Sequence, residues 1–417
     1  MTDFTPDIKI YTLPPNAPHT DPRVEVTDWV DYSISASRGT SEYISAPYPA
    51  QTTVTLLFPD NVIPEIQLGT WVEIQVYSAV ALDYQIIHSG YVTERTSAYR
   101  SYGLAGFILE WQFNLTSAIS NLQNSTWYNE IALTGGTSQC LDKVLQKSYR
   151  TMWNEVNANT QWQDYGPVSW DDVDQIKLDT FPVITYGSNS IDQNLSVGYR
   201  NTWDDISTLI YGIYGWIWEQ ANGDIELEYQ GTPISSTFTL TQDMLSPDLI
   251  GGDGVGKLRN LVTISEFDGV ESRYYDDNSI SLFNERSGAL STYLTNTLDA
   301  ANVGQTILNG LAYPLLSTEQ VSVNLLNPIF SDADRELLLY SPIGRRITVD
   351  APVPMGGTLD YLTIGCQFEI NKDSFILGLT LAPYSQAYNS PNWDQVPYNY
   401  TWTSYGVAFP TQEWQDL

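Results

Sequence analysis

Short runs in which apolar and polar residues alternate recur along most of this chain, and they restrict it to a fold built mainly from β-strands. The clearest two runs span residues 361–370 and 375–381, separated by Asn371-Lys372-Asp373. Every even position of the first run is apolar, so one face of that strand can be buried. The polar residues between the runs suit a tight turn. Together they predict a long β-hairpin.

A series of similar runs occupies the first third of the chain. These runs are 24–35, 51–58, 71–77, 84–92 and 107–115. Pro59-Asp60-Asn61 and Leu68-Gly69-Thr70 supply turn residues between them. Short strands separated by turn signals predict a compact β-barrel or sandwich over residues 20–125.

Helical spacing replaces the alternation in the middle of the chain. Apolar residues recur every three or four positions in 138–147 and again from Trp203 to Ile213. Asn201 or Thr202 can cap the second helix, and its first turn carries the acidic pair 204–205, which suits the positive end of a helix. The sequence therefore predicts two helices here.

Strand signals return after the second helix. Asn222-Gly223 lies between two alternating runs and predicts a β-hairpin. Residues 259–266 predict a further strand, and residues 298–311 a helix that ends before Pro314.

The fold class predicted from these patterns is mainly β with α+β parts, in which two barrel-like β-domains flank a mixed α/β region. The predicted divisions are a lead-in (1–19), a β-barrel-like domain (20–125), a mixed α/β domain (126–235), a connecting region with a strand and a helix (236–315), a second β-barrel-like domain (316–385) and an aromatic C-terminal arm (386–417).

The C-terminal arm has no lysine, arginine or histidine but is rich in aromatic residues, which would bury large apolar areas against another surface. We expect it to dock either on its own chain or on a neighbour. The candidate interaction residues are Trp393, Tyr398, Tyr400, Trp402, Tyr405 and Trp414.

The net charge of the chain argues against nucleic-acid binding. The chain has 49 acidic against 18 basic residues and a formal net charge of −31, which repels the phosphates of DNA and RNA. No stretch of about 18 apolar residues is present, so we expect no membrane segment, and the N-terminus lacks the pattern of an export signal.

Motifs for catalysis are incomplete. Gly251 to Lys257 matches a phosphate-binding loop, but Leu258 stands where a magnesium-binding hydroxyl is needed, and a strand pattern follows instead of a helix. His19 and His88, the only histidines, lie in no hydrolase or zinc motif. Cys140 and Cys366 match no metal or disulfide spacing, and we expect both to be buried thiols.

Acidic pairs are too common to be informative, so a glycosidase pair stays an open alternative. The cluster of aspartates in 171–174 could hold Ca²⁺, but a solvated turn is the preferred interpretation. The aromatic residues Trp153, Trp162, Tyr165 and Trp170 could bind sugar, or could pack the mixed domain. We predict no catalytic residue, no cofactor and no metal.

The order of several strand motifs resembles that of tail-hub and minor tail proteins of long-tailed bacteriophages. The segments that carry the resemblance are Val26-Thr-Asp-Trp-Val, Ser33-Ile-Ser-Ala-Ser-Arg-Gly, Thr52-Thr-Val-Thr-Leu-Leu, Ile66-Gln-Leu-Gly-Thr-Trp-Val-Glu-Ile, Ser89-Gly-Tyr-Val-Thr, Gly215-Trp216, Asn260-Leu-Val-Thr-Ile, Gly344-Arg-Arg-Ile-Thr-Val, Leu362-Thr-Ile-Gly-Cys and Leu377-Gly-Leu-Thr-Leu-Ala-Pro.

This resemblance implies a structural, non-enzymatic virion protein of the tail tip, assembled in the host cytoplasm. It also implies a homotrimer with two barrel-like domains per chain, and as partners the tube or distal tail protein, the tape measure and receptor-binding proteins. The sequence departs from this family in showing no lysozyme or peptidase region, so we expect no cell-wall-degrading role. The alternatives are a carbohydrate-binding adhesion protein and a glycan-cleaving enzyme.

Overall fold

The structure is a computed structural model. It describes residues 7–14, 22–40, 47–58, 66–101, 107–129, 131–137, 139–141, 143–144, 192–223, 225–228, 238–246, 250–252, 257–314, 317–340, 342–350, 358–371 and 373–384.

Strands dominate this part of the chain. They are β1 (Ile8–Leu13), β2 (Val24–Glu25), β3 (Val30–Gly39), β4 (Tyr48–Phe58), β5 (Trp71–Ser78), β6 (Asp83–Ser101), β7 (Phe107–Thr116), β8 (Thr126–Asn129), β9 (Leu133–Gly136), β10 (Asp192–Leu195), β11 (Gly198–Asn201), β12 (Trp216–Glu219), β13 (Ile225–Glu228), β14 (Phe238–Leu240), β15 (Ile250–Gly252), β16 (Leu261–Ser265), β17 (Glu271–Tyr275), β18 (Ser287–Ser291), β19 (Ser317–Asn324), β20 (Arg346–Asp350), β21 (Thr358–Asn371) and β22 (Ser374–Pro383). The helices are α1 (Ala118–Gln123), α2 (Thr202–Gly212), α3 (Asp277–Phe283), α4 (Thr297–Leu311) and α5 (Asp332–Tyr340).

One large sheet joins the two ends of the chain. Its strand order is β15-β19-β22-β21-β3-β4-β7-β6-β5-β1-β2, and β20 pairs with β21 and carries β14. The junction is the antiparallel pair β21–β3, in which Ile370 lies opposite Ile34 and Cys366 opposite Arg38. Strands of the two predicted β-domains therefore share one sheet, and no pairing among the described strands closes it into a barrel. The mainly β prediction is confirmed, whereas two separate barrels are not.

The predicted C-terminal hairpin lies within this sheet, between β19 and β3. β21 and β22 pair along almost their whole length, and the even positions of β21 from Leu362 to Ile370 are buried, as the alternation predicts. Their side chains belong to one hydrophobic core that also includes Ile34 of β3 and Val54 of β4. The shared core explains why the two ends of the chain are held together.

The hairpin of β12 and β13 packs between this core and a second one. Trp216 and Trp218 stack on each other in the large core, while Ile217 points into the second core. Gly223, in the predicted Asn-Gly turn, has a φ of +90°, and a Cβ there would come within 2.7 Å of the Trp71 ring. Glycine therefore permits both the turn and its close approach to β5.

Besides the large core, the described residues form two smaller hydrophobic cores. Helices make up most of the second core, whereas the third lies between a helix and a sheet. α1, α2 and β8 surround the second core, and the predicted first helix contributes Leu141 and Val144 to it. In the third, α4 packs against the three-stranded sheet β17-β16-β18. The boundaries of the predicted domains stay predictions.

Candidate assembly site

The six aromatic residues predicted to interact, from Trp393 to Trp414, lie outside the described residues, but the point from which their arm departs is described. Tyr384, at the end of β22, is buried. The guanidinium of Arg346 lies 4.1 Å from the centre of its ring and is itself hydrogen-bonded to Asp360. Thr348 also donates to Asp360, at 2.6 Å. The arm therefore starts from a fixed point on β20 and β21.

The large sheet ends at β2 on one side, and this edge is short and charged. β2 has two residues, both exposed. Glu25 pairs with Lys9 across the ladder at 3.5 Å, and Arg23, just before β2, pairs with Glu73 at 2.8 Å. Short, charged edge strands discourage unspecific strand addition.

Glu73 fixes that edge to β5. Its carboxylate is buried and accepts hydrogen bonds from Trp71 Nε1 at 3.1 Å and from Gln75 Nε2 at 2.9 Å. With Arg23 as counter-ion, the buried charge has partners on both oxygens.

The opposite end of the sheet is β15, in the sequence that resembled a phosphate-binding loop. Gly251 and Gly252 are extended and pair with β19. Lys257 is exposed and pairs with Glu319 at 3.0 Å, and the chain enters strand β16 at Leu261. Because no helix starts after Lys257, its loop lacks the helix N-terminus that would hold a phosphate.

Asp205, predicted to favour the start of α2, has a larger role. Asn201 caps the helix as predicted, accepting from the backbone N–H groups of Trp203 and Asp204. The Asp205 side chain is buried and bonds side chains from three other parts of the chain. Its partners are Trp127 Nε1 at 2.8 Å, Arg200 Nε at 2.7 Å and Nη2 at 2.6 Å, and Tyr293 Oη at 2.7 Å.

The same network changes the acidity of Tyr293. Burial, followed by the hydrogen bond to Asp205, raises the pKa of Tyr293 to about 12. Its ring also contacts the Arg200 guanidinium, 5.1 Å from the ring centre. The network joins β8, β11, α2 and the segment before α4, which identifies it as a structural junction.

His88 is enclosed in the core of the large sheet. Its Nε2 has no hydrogen-bond partner among the described residues, and burial, followed by the charge of Arg38, lowers its pKa to about 3. Arg38 is also buried, and within the same part of the chain its Nε and Nη1 atoms have no hydrogen-bond acceptor. An imidazole with so low a pKa is a weak base, and its burial keeps it from contact with a substrate.

Members of two of the acidic pairs noted in the sequence have structural partners, both cysteines are buried, and several other candidates fall outside the described residues. Asp276 caps α3 through Ser279 N–H at 2.8 Å, and Asp332 pairs with Arg335 at 3.0 Å. Cys140 and Cys366 are buried and free, as predicted, and burial raises the pKa of Cys140 to about 11. The candidates that fall outside are His19, Trp153, Trp162, Tyr165, Trp170, Asp171, Asp172 and Asp174.

The described part of the chain has neither a metal-binding cluster nor a membrane-spanning helix. No three His, Cys, Asp or Glu side chains there are grouped so that they could hold a metal ion. None of its helices combines the length and the apolar character needed to span a membrane.

The fold is similar to that of two solved tail proteins, one of them from a prophage. The 43 kDa tail protein of prophage MuSo2 from Shewanella oneidensis superposes with a TM-score of 0.57 at 10% identity, over 91% of this chain and 99% of that one. A tail protein from Neisseria meningitidis MC58 gives a TM-score of 0.58 at 11% identity, with the same coverage. No protein-family model and no curated protein matches the sequence.

Proposed function

We propose that this chain is a structural, non-catalytic component of a bacteriophage-type tail, and that it forms the hub at the tip of the tail tube. The observation that carries the proposal is the extent of the likeness: the fold of two tail proteins is matched over 91% of this chain and 99% of each of them. The motif order found in the sequence supports the hub in particular.

Electrostatics supports the same proposal. With a formal net charge of −31, the protein repels DNA. A tube lined by copies of this chain would therefore not retain a passing genome. Partners in this role are the chain itself, the tube or distal tail protein, the tape measure and receptor-binding proteins, and the location is the virion tail tip after assembly in the host cytoplasm.

We expect the protein to form a ring, as a homotrimer that uses the outer edges of the strand regions 20–125 and 316–385, which in the fold are β2 and, beside β19, the short strand β15. Closed symmetric rings bury complementary edges of each copy. Light scattering of the purified protein should give three times the chain mass, and images of tail tips should show threefold density. A monomer in solution that joins no ring in the particle would contradict the prediction.

Deletion of the arm, residues 386–417, should leave a folded, soluble body that assembles poorly. The described core ends at Tyr384, whose ring is already packed under Arg346. At about 25 cal/mol per Å² and about 150–250 Å² per aromatic ring, half-burying a few arm residues on a neighbour would contribute several kcal/mol. Thermal unfolding of the body and its incorporation into tails are the two measurements.

A matched variant separates aromatic contacts from chain length. It keeps the arm but replaces Trp393, Tyr398, Tyr400, Trp402, Tyr405 and Trp414 with serine, and it should assemble as poorly as the deletion. Aggregation of the truncated body would show that the arm completes its own core. Normal assembly of both variants would show the arm to be dispensable.

A carbohydrate-binding adhesion protein is the second candidate, favoured by an aromatic pair in which one ring is exposed and the other half-buried. Tyr199 of β11 is 74% exposed, and its ring centre lies 4.8 Å from that of Tyr128 on β8. Aromatic faces of this kind can stack on sugar rings. Glycan-array binding that is lost in Tyr199→Ala would favour this function over the hub.

A further inference from the structure

The turn between β5 and β6 is apolar and exposed. Its four residues, Ala79-Val80-Ala81-Leu82, are all exposed, with Val80 at 55% and Leu82 at 74%. Leu82 also has a φ of +55°. Left-handed backbone is disfavoured for a residue with a branched side chain, and it persists where the surroundings or a function require it.

The same chain builds another hairpin turn in the usual way. Between β12 and β13 the left-handed position is Gly223, preceded by Asn222. Asn-Gly is a preferred sequence for the turn of a β-hairpin. Isolated exposed leucines are common on protein surfaces. An uninterrupted apolar turn with a leucine at the left-handed position departs from local preference, and such departures concentrate at functional sites.

Helix α5 holds this turn in place. Ser78, at the end of β5, donates a hydrogen bond to Glu336 of α5 and accepts one from Ala81 N–H at 2.8 Å. Tyr340, one turn further along α5, donates to the carbonyl of Val76 at 3.1 Å. The apolar tip is therefore presented by a fixed base, which lowers the entropy lost when it binds.

Acidic groups surround the base of the turn. Asp83 and Asp7 are exposed, and Glu336 contacts Ser78. The cation Lys9 is already engaged, since its ammonium lies 4.5 Å from the centre of the Tyr84 ring and 3.5 Å from Glu25. Two copies meeting tip to tip would bring like charges together, which opposes self-association through this surface.

We propose that Ala79–Leu82 is a docking tip that inserts into an apolar pocket of a different protein, and that lysine or arginine side chains surround this pocket. Apolar side chains at the centre and opposite charges at the rim are the usual composition of a specific interface. The inference rests on the proposed function, because it places that partner in the same tail particle.

Cysteine protection in the particle tests the proposal. Cys140 and Cys366 are 0% and 4% exposed, so Val80→Cys introduces one readily accessible thiol among the described residues. Its reaction with a maleimide should be at least tenfold slower in purified tails than in the free protein. Leu298→Cys, on the 72% exposed Leu298 of α4, is the control and should react at similar rates in both states.

A benzophenone maleimide attached to the thiol of the Val80→Cys variant then identifies the occupant. A cross-link to a different polypeptide, at apolar residues close to lysine or arginine, is the expected product. A cross-linked pair of this chain, a cross-link to lipid, or a thiol that stays unprotected in the particle would each overturn the proposal. Absence of the chain from purified tails would instead overturn the proposed function, so the two failures are distinguishable.

Two substitutions provide a test without labels. Leu82→Gly removes the side chain and relieves the left-handed leucine, so the melting temperature of the free protein should be unchanged or higher while incorporation into tails falls at least tenfold. Leu82→Asp should reduce incorporation further. Leu298→Asp adds the same charge on α4 and should assemble normally; equal losses in both aspartate variants would indicate a general effect of charge and sink the idea.

Discussion

Replacement of Asp205 with alanine is expected to lower the free energy of unfolding by about 3–5 kcal/mol, the usual cost of removing one partner from a buried ion pair. The change leaves the Arg200 guanidinium without its counter-ion, at a site where Asp205 bonds two of its nitrogens. Trp127 Nε1 and the Tyr293 hydroxyl lose their acceptor as well. Urea unfolding followed by tryptophan fluorescence measures the loss, since Trp127 lies in the affected core.

Asp204 provides the matched control. It occupies the preceding position in the same helical turn, but its side chain is exposed. Asp204→Ala should cost less than about 1 kcal/mol, the value of a favourable charge near a helix N-terminus. The loss of unfolding free energy in Asp205→Asn should lie between those of the two alanine variants, because the amide oxygen of asparagine still accepts one hydrogen bond. Equal effects at both positions would show that Asp205 acts through the helix dipole alone.

Most strands could be predicted because their alternation has a simple physical cause. One face of β21 is buried in a continuous core, so every second residue from Leu362 to Ile370 must be apolar. The helix α4 was predicted for the corresponding reason, since Val303, Ile307 and Leu308 recur on the face that meets the three-stranded sheet. Local patterns of this kind are visible in a single sequence.

The pairing of β3 with β21 could not be predicted in the same way. Alternation determines which face of a strand is buried but not which strand lies beside it. These two strands come from opposite ends of the chain. Two separate barrels were therefore the simpler interpretation, although a single sheet forms with the same buried faces.

Two further local signals are present in the sequence. Ser331 and Asp334 cap α5 reciprocally, with Asp334 accepting from Ser331 N–H at 2.8 Å and Ser331 Oγ accepting from Asp334 N–H at 3.2 Å. This capping pattern is readable from sequence. The apolar turn 79–82 was also readable, since two strand patterns are joined there without glycine, asparagine or proline. The burial of Asp205, by contrast, depends on Trp127, Arg200 and Tyr293, which only the fold brings together.

His88 is expected to make the protein less stable as the pH falls below about 6.5. In the unfolded chain the imidazole binds a proton near its ordinary pKa of 6.5, whereas in the fold its pKa is about 3. Between these values the unfolded state holds a proton that the native state does not, so the free energy of unfolding decreases with falling pH. The slope from one such group is at most about 1.4 kcal/mol per pH unit.

The substitution His88→Gln tests the origin of this slope. Glutamine cannot take up a proton, so the difference in stability between the original protein and the variant should shrink from pH 7 to pH 4 by a few kcal/mol. His19→Gln removes the other histidine of the chain and is the control. If His88→Gln retains the full pH dependence, carboxylates account for it and the assignment to His88 is wrong.

A substitution at Arg38 distinguishes the two causes of the lowered pKa of His88. Burial is the larger one and the charge of Arg38 the smaller, so Arg38→Met, which keeps an unbranched apolar stem in the core, should raise the pKa of His88 only in part. The urea midpoint of Arg38→Met should therefore still decrease as the pH falls below 6.5. The decrease should end at a pH above 3, because the pKa of His88 is higher in this variant. Complete loss of the slope in Arg38→Met would mean that the guanidinium, and not burial, keeps His88 neutral.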